Sequence, residues 1–205
     1  MRLYRAPFST NVERVALALA HKGLEVESIW IEYTDRSVVE RVSGQGLVPV
    51  IEADDGEVLF ESMDIVRWLE KHHPEPPLYP GDPARHAELL VFVEWFNRVW
   101  KGPPNEIEEE LGNDPPDEAR IASLSAQMNS WLGLFESMLE GRDYLMNDRF
   151  SAADCCAFPF LKYALMREEE DDELFHIVLD EHQHLGDDHP GLEAWINRVN
   201  ERPRA

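Results

Sequence analysis

The chain has 205 residues, enough to build one large domain or two small ones. Its 41 acidic residues against 19 Lys and Arg give a formal net charge of -22, which repels nucleic-acid phosphates and anionic lipid surfaces over long range. Nucleic acid is therefore disfavoured as a partner, and any anionic ligand needs a locally basic pocket. The opening MRLYRAPF has no apolar signal core, and no run approaches the roughly 18 apolar residues of a membrane span. The expectation is a cytoplasmic protein with no membrane partner. Cys155 and Cys156 are the only cysteines; as neighbours they offer neither a disulfide framework nor metal-type spacing, which fits a reducing compartment.

In chain order, RLY at 2–4 reads as a strand, followed by a loop through Pro7 and a helix whose apolar face is Val12, Val15, Ala16 and Leu19. The stretch APFSTNVER leading into that helix carries Ser9, Thr10 and Asn11, any of which can cap it. VESIWI at 26–31 reads as a second strand and 36–42 as a short helix or irregular turn. LVPVIEA and EVLF, separated by Asp54, Asp55 and Gly56, read as a hairpin. Ser62 is then expected to cap a helix with Ile65, Trp68 and Leu69 on its apolar face. The order is βαβαββα.

PEPPLYPGDP at 74–83 is too proline-rich for a helix or inner strand. Beyond it the apolar spacing is helical: Leu89, Phe92, Val93, Phe96 and Trp100; Ile121, Leu124, Met128, Trp131, Phe135 and Met138; Phe158, Leu161 and Leu165; Leu192, Trp195, Ile196 and Val199. GPPNEIEEELGNDPP, between the first two of these helices, reads as an exposed loop or mobile cover. SAAD at 151–154 fits a capping box. Glu168 to Glu173 reads as a solvated acidic surface, and HQH at 182–184 is too thin for a metal site, so no metal is expected. Trp95, Phe96 and Trp100 suit core packing, with an apolar pocket as the other reading.

STNVERVALALAHKG, GLVPVI, LFESMDIVRWL, FSAADCCAFPFL and HPGLEAWINRVNERP, in that order, resemble the cytosolic glutathione transferases, the first of them the serine-type classes, phi/theta-like and bacterial members included. The resemblance spans nearly the whole chain. It implies a thioredoxin-like domain over 1–76 that binds glutathione, a linker over 77–83, and an all-helical domain over 84–205 that supplies the pocket for a small hydrophobic electrophile. It also implies a homodimer, a detoxifying transferase activity, and glutathione as co-substrate.

By the same resemblance Ser9 holds the catalytic hydroxyl, which stabilises the glutathione thiolate instead of attacking. A free thiol of pKa about 8.5 is only a few per cent ionised at neutral pH, and a two-unit depression costs about 2.7 kcal/mol. A hydrogen bond to a charged group supplies about 1.5 to 3 kcal/mol, and a helix N-terminus about 0.3 to 1. Together they suffice without a basic side chain. Thr10, or Tyr4 at the end of the first strand, are the alternative hydroxyls.

Val48-Pro49 would place a cis proline beside a strand edge, leaving the Val48 backbone to pair with the peptide of glutathione. Glu61 and Ser62 resemble the acid-serine pair that grips the γ-glutamyl end, a carboxylate suiting its ammonium and a helix start its carboxylate. Arg36 is the nearest cation for the glycyl carboxylate. One position departs from the family: Leu47 stands where Gln or Lys is common, with Gln45 as a partial substitute. Leu47 therefore keeps two other readings open, a non-catalytic binding or assembly module and a transferase for another small thiol.

Overall fold

The computed structural model describes residues 1–205, in two compact units: Met1–Pro80 with Arg202–Ala205, and Gly81–Glu201. In the first unit the elements are β1 (Arg2–Arg5), α1 (Thr10–His21), β2 (Glu27–Trp30), α2 (Ser37–Ser43), β3 (Val50–Glu52), β4 (Val58–Phe60) and α3 (Ser62–His72). This is the expected thioredoxin-like order. The strands form one mixed sheet in the order β2-β1-β3-β4, with β1 and β2 parallel and the other pairs antiparallel.

Strand alternation sends Tyr4 and Val50 to one face and Leu3 and Ile51 to the other. Tyr4 and Val50 pack with Ile31 and with Val39 of α2. On α1, Val12, Val15, Ala16 and Leu19 are buried as the periodicity requires, each large side chain contributing about 1.5 to 3 kcal/mol on burial. Lys22, just past α1, is buried as well. Its ammonium donates to Glu70 at 2.7 Å, to the His73 carbonyl at 2.6 Å and to the Pro76 carbonyl at 3.1 Å. Glu70 also accepts from the Leu78 amide at 3.0 Å, and Leu78 and Tyr79 are buried within the segment expected to be linker.

Arg202–Ala205, expected within the helical domain, belongs to this first unit. Arg204 pairs with Glu13 at 2.8 Å, the Ala205 amide donates to the Ala16 carbonyl at 3.2 Å, and Arg5 donates to the Ala205 carbonyl at 2.7 Å. The segment thus lies along α1.

The second unit is helical throughout: α4 (Pro83–Trp95), a π turn (Phe96–Trp100), α5 (Gly102–Leu111), α6 (Glu118–Leu139), α7 (Ala152–Leu161) continued by a 3-10 turn (Lys162–Ala164), α8 (Leu174–His182) and α9 (Pro190–Asn200). None of the helices is long and apolar enough to cross a membrane. Phe96 and Trp100 are fully buried and stacked at 4.4 Å, with Phe135 and Phe160 against them. They are core residues. Trp95 alone of the three is partly exposed.

Two expectations need correction here. GPPNEIEEEL is helix α5, not a loop. Pro103 and Pro104 sit in its first turn, where amide hydrogens have no intrahelical partner and proline costs nothing. Ile107 then buries one face, and Glu110 accepts from the Asp117 amide, Asn113 and Arg120 to close the turn into α6. The acidic run is also not wholly solvated. Asp171 is buried because Tyr163 donates its hydroxyl at 2.6 Å and His176 approaches through Nδ1 at 2.8 Å.

The capping box is present: Asp154 accepts from the Ser151 amide and hydroxyl, both at 2.8 Å. It accepts further from the Leu145 amide at 3.0 Å and Trp195 Nε1 at 2.9 Å. Burial pushes its carboxyl above the usual carboxylate range, and the four donors oppose that push.

Candidate functional site

The sheet brings the candidate residues to one end. β1 and β2 run in parallel, so both finish there, and the antiparallel register of Tyr4 with Val50 and of Val50 with Phe60 starts β3 and finishes β4 at the same end. The segments that follow or precede those ends carry Ser9, Arg36, Val48 and Ser62.

Ser9 is the N-cap of α1, its side-chain oxygen accepting from the Val12 amide at 3.4 Å. It is partly exposed, and its O–H finds no acceptor in the protein. Phe8 before it adopts φ 57°, a left-handed backbone that turns the chain into the helix. Thr10 is buried at the first helical position, which makes its hydroxyl the less accessible. Tyr4 is 5% exposed and commits its O–H to Glu52 at 2.9 Å. Burial, then Glu52, push the phenol above its ordinary value, so Tyr4 is a weaker donor and already engaged.

The Val48-Pro49 bond is cis. No protein group pairs with the Val48 amide or carbonyl, and Val48 is partly exposed. Leu47 is 71% exposed. Gln45 does not reach past it: its side chain accepts from the Leu47 amide and donates to the Leu47 carbonyl at 3.0 Å. Its amide group is therefore spent on the loop.

Ser62 does not cap α3. Glu61 takes φ 66°, so the chain enters the helix without a side-chain cap, and Ser62 is its first residue. The Ser62 hydroxyl is buried, donating to Asn11 Oδ1 at 3.4 Å and accepting from Arg14 Nη1 at 3.3 Å. Glu61 itself is exposed. Arg36 donates through Nε to the Tyr33 carbonyl at 3.2 Å and through Nη1 to the Gly46 carbonyl at 3.3 Å, two of its five N–H donors.

Sequence reasoning passed over Arg14. It is 2% exposed, and its guanidinium bridges Asn11 and Ser62 beneath the start of α3. It is a buried positive charge in an otherwise strongly acidic chain. The available signal was its place between Val12 and Val15, on a stretch of helix where an exposed cation does not fit.

The glutathione S-transferase N-terminal domain family matches residues 3–77, and the C-terminal domain family matches residues 101–203. The chain belongs to the glutathione S-transferase family. Among family relatives, it is 27% identical to glutathione S-transferase GstB of Escherichia coli K12 over 95% of this chain and 90% of that one. FtsZ-localized protein A of Caulobacter vibrioides is 28% identical over 76% of this chain and 73% of its own. The crystal structure of a glutathione S-transferase from Rhodospirillum rubrum superposes with a TM-score of 0.75 at 27% identity, covering 98% of this chain and 88% of that chain. The family and its fold agree with the resemblance read from the sequence.

Proposed function

We propose that this protein is a cytoplasmic glutathione transferase that ionises bound glutathione and adds the thiolate to a small hydrophobic electrophile. The observation that carries this reading is Ser9. Its oxygen is occupied by the helix cap while its O–H is free to donate, at the positive end of a helix, to an anionic sulfur. Val48 offers the unpaired backbone for the peptide. The α3 start, with Ser62 and the buried Arg14 behind it, suits the γ-glutamyl carboxylate, and Glu61 suits the ammonium. Arg36 gives two of its five N–H donors to backbone carbonyls, and the others suit the glycyl carboxylate.

Ser9→Ala tests it. The variant should fold and keep most of its glutathione affinity, yet raise the bound thiol's pKa by about one to two units, from the loss of about 1.5 to 3 kcal/mol. Ultraviolet titration of the bound thiolate reads this directly. An unchanged titration would remove Ser9 from the role. Leu47 favours a second reading, a binding or assembly module, and saturable glutathione binding with no thiolate band in the unmodified protein would select it. Binding of a different small thiol in preference to glutathione would change the substrate and not the chemistry.

A homodimer forms part of the proposal. Trp95, Met138 and Phe92 line an open apolar groove flanked by exposed Val91 and Leu134, the kind of surface that a soluble monomer rarely leaves uncovered. Light scattering at micromolar concentration should give twice the chain mass; a monomer would remove this part.

A further inference from the structure

Tyr33, in the turn between β2 and α2, reaches across to the loop that precedes Ser9. Its hydroxyl donates to the Pro7 carbonyl at 2.6 Å, two residues before Ser9. Arg36 holds the same turn from the other side, with Nε on the Tyr33 carbonyl at 3.2 Å and its guanidinium 4.8 Å over the Tyr33 ring. One donor at Nη1 goes to the Gly46 carbonyl at 3.3 Å, in the loop that leads into Leu47 and Val48. A Cβ on Gly46 would come within 3.5 Å of Arg36 Cβ and 3.4 Å of Glu40 Oε1, so that loop lies close against the bridge.

We propose that Tyr33 and Arg36 are positioning residues, forming one bridge between the two loops that carry the Ser9 hydroxyl and the Val48 backbone. Without it, nothing else in these contacts links Pro7 to Gly46. The Pro7 carbonyl fixes the approach to the left-handed Phe8 and hence the direction in which the Ser9 O–H leaves the helix end. Tyr33 therefore acts on thiolate stabilisation through Ser9, and Arg36 acts on peptide binding through the Gly46–Val48 loop. Arg36 thus serves the site by holding backbone, whatever its other N–H donors meet. This inference rests on the transferase reading for its consequence but not for the bridge itself.

Tyr33→Phe removes only the O–H and keeps the ring under Arg36. The Val12 amide, which donates to Ser9, reports the cap and should exchange with deuterium faster in this variant, without any ligand present. With glutathione bound, the thiol pKa should rise by about one unit, a roughly tenfold smaller thiolate fraction at neutral pH, while Kd stays nearly constant. Arg36→Gln should do the reverse, weakening glutathione about tenfold, or 1.4 kcal/mol, and leaving the bound thiol's pKa in place. Val12 exchange and thiol titration both unchanged in Tyr33→Phe would overturn the bridge. Faster Val12 exchange in Tyr33→Phe, in a protein whose bound thiol never ionises, would uphold the bridge and sink the transferase reading instead.

Discussion

Asp154→Ala should lower the thermal midpoint by more than about 8 °C, taking a loss of at least about 4 kcal/mol and about 2 °C per kcal/mol for a chain of this size. The loss has two parts. Removing a helix cap costs about 0.5 to 2 kcal/mol. The larger part comes from the donors left behind: the Leu145 amide, the Ser151 amide and hydroxyl, and Trp195 Nε1 converge on this one buried carboxylate, and each buried donor without an acceptor costs about 1 to 3 kcal/mol. Even partial relaxation leaves the total in the range reserved for exceptional sites. Asp154→Asn keeps one acceptor oxygen and should fall between the two. Circular dichroism melts of the three proteins give the order, and an alanine variant melting within about 2 °C of the parent, a loss near 1 kcal/mol, would show that the clamp contributes little.

Lys22→Met should cost about 3 kcal/mol. Its ammonium is shielded from solvent and meets a carboxylate and two carbonyls, and breaking a buried pair by removing one partner typically costs about 3 to 5 kcal/mol because the other charge is stranded. Glu70 retains some exposure and the Leu78 amide, which argues for the lower end. Urea titration of the variant should therefore show an earlier loss of structure, and adding Glu70→Gln should restore part of it. Arg98→Ala, breaking the exposed pair with Glu94, is the control, since such surface pairs contribute about 0 to 1 kcal/mol. Equal effects from Lys22→Met and Arg98→Ala would mean that the buried ammonium ties nothing together.

Most of what was legible in the fold rests on partners that lie close in sequence, although the Ser62 cap expected on the same ground is absent. The α1 periodicity, the Ser9 cap and the Ser151–Asp154 capping box each involve residues within one helical turn, so local spacing encodes them. Other features depend on partners beyond one helical turn. Arg14 meets Ser62 across 48 positions, and Asp171 is buried by Tyr163 and His176 from opposite sides of a loop; a charged letter alone carries no record of either. The α5 helix was hidden for a different reason: two prolines signal a break in the middle of a helix but are permitted in its first turn, and the sequence does not announce which turn is first. At the site, the residue types were readable while their hydrogen-bond commitments were not. Gln45 has the chemistry to bind a ligand and instead binds backbone, and Arg36 gives two of its N–H donors to backbone as well.

The π turn at Phe96–Trp100 lengthens the chain at that point. Its wider winding holds more residues than an α-turn, so the face presented by α4 and the face presented after the turn are out of phase with a continuous helix. Each residue of an α-helix advances the side-chain direction by about 100°. Deleting a single exposed residue such as Arg98 or Val99 would let the segment rewind as uninterrupted α-helix, and because the wide turn holds its extra residue over nearly the rotation of an α-turn, the faces carrying Phe92 and Trp100 would keep close to their present directions. Substitutions at those two exposed positions are cheap, and a one-codon deletion is better absorbed there than within α4 itself: the surface can vary in chemistry and give up one residue.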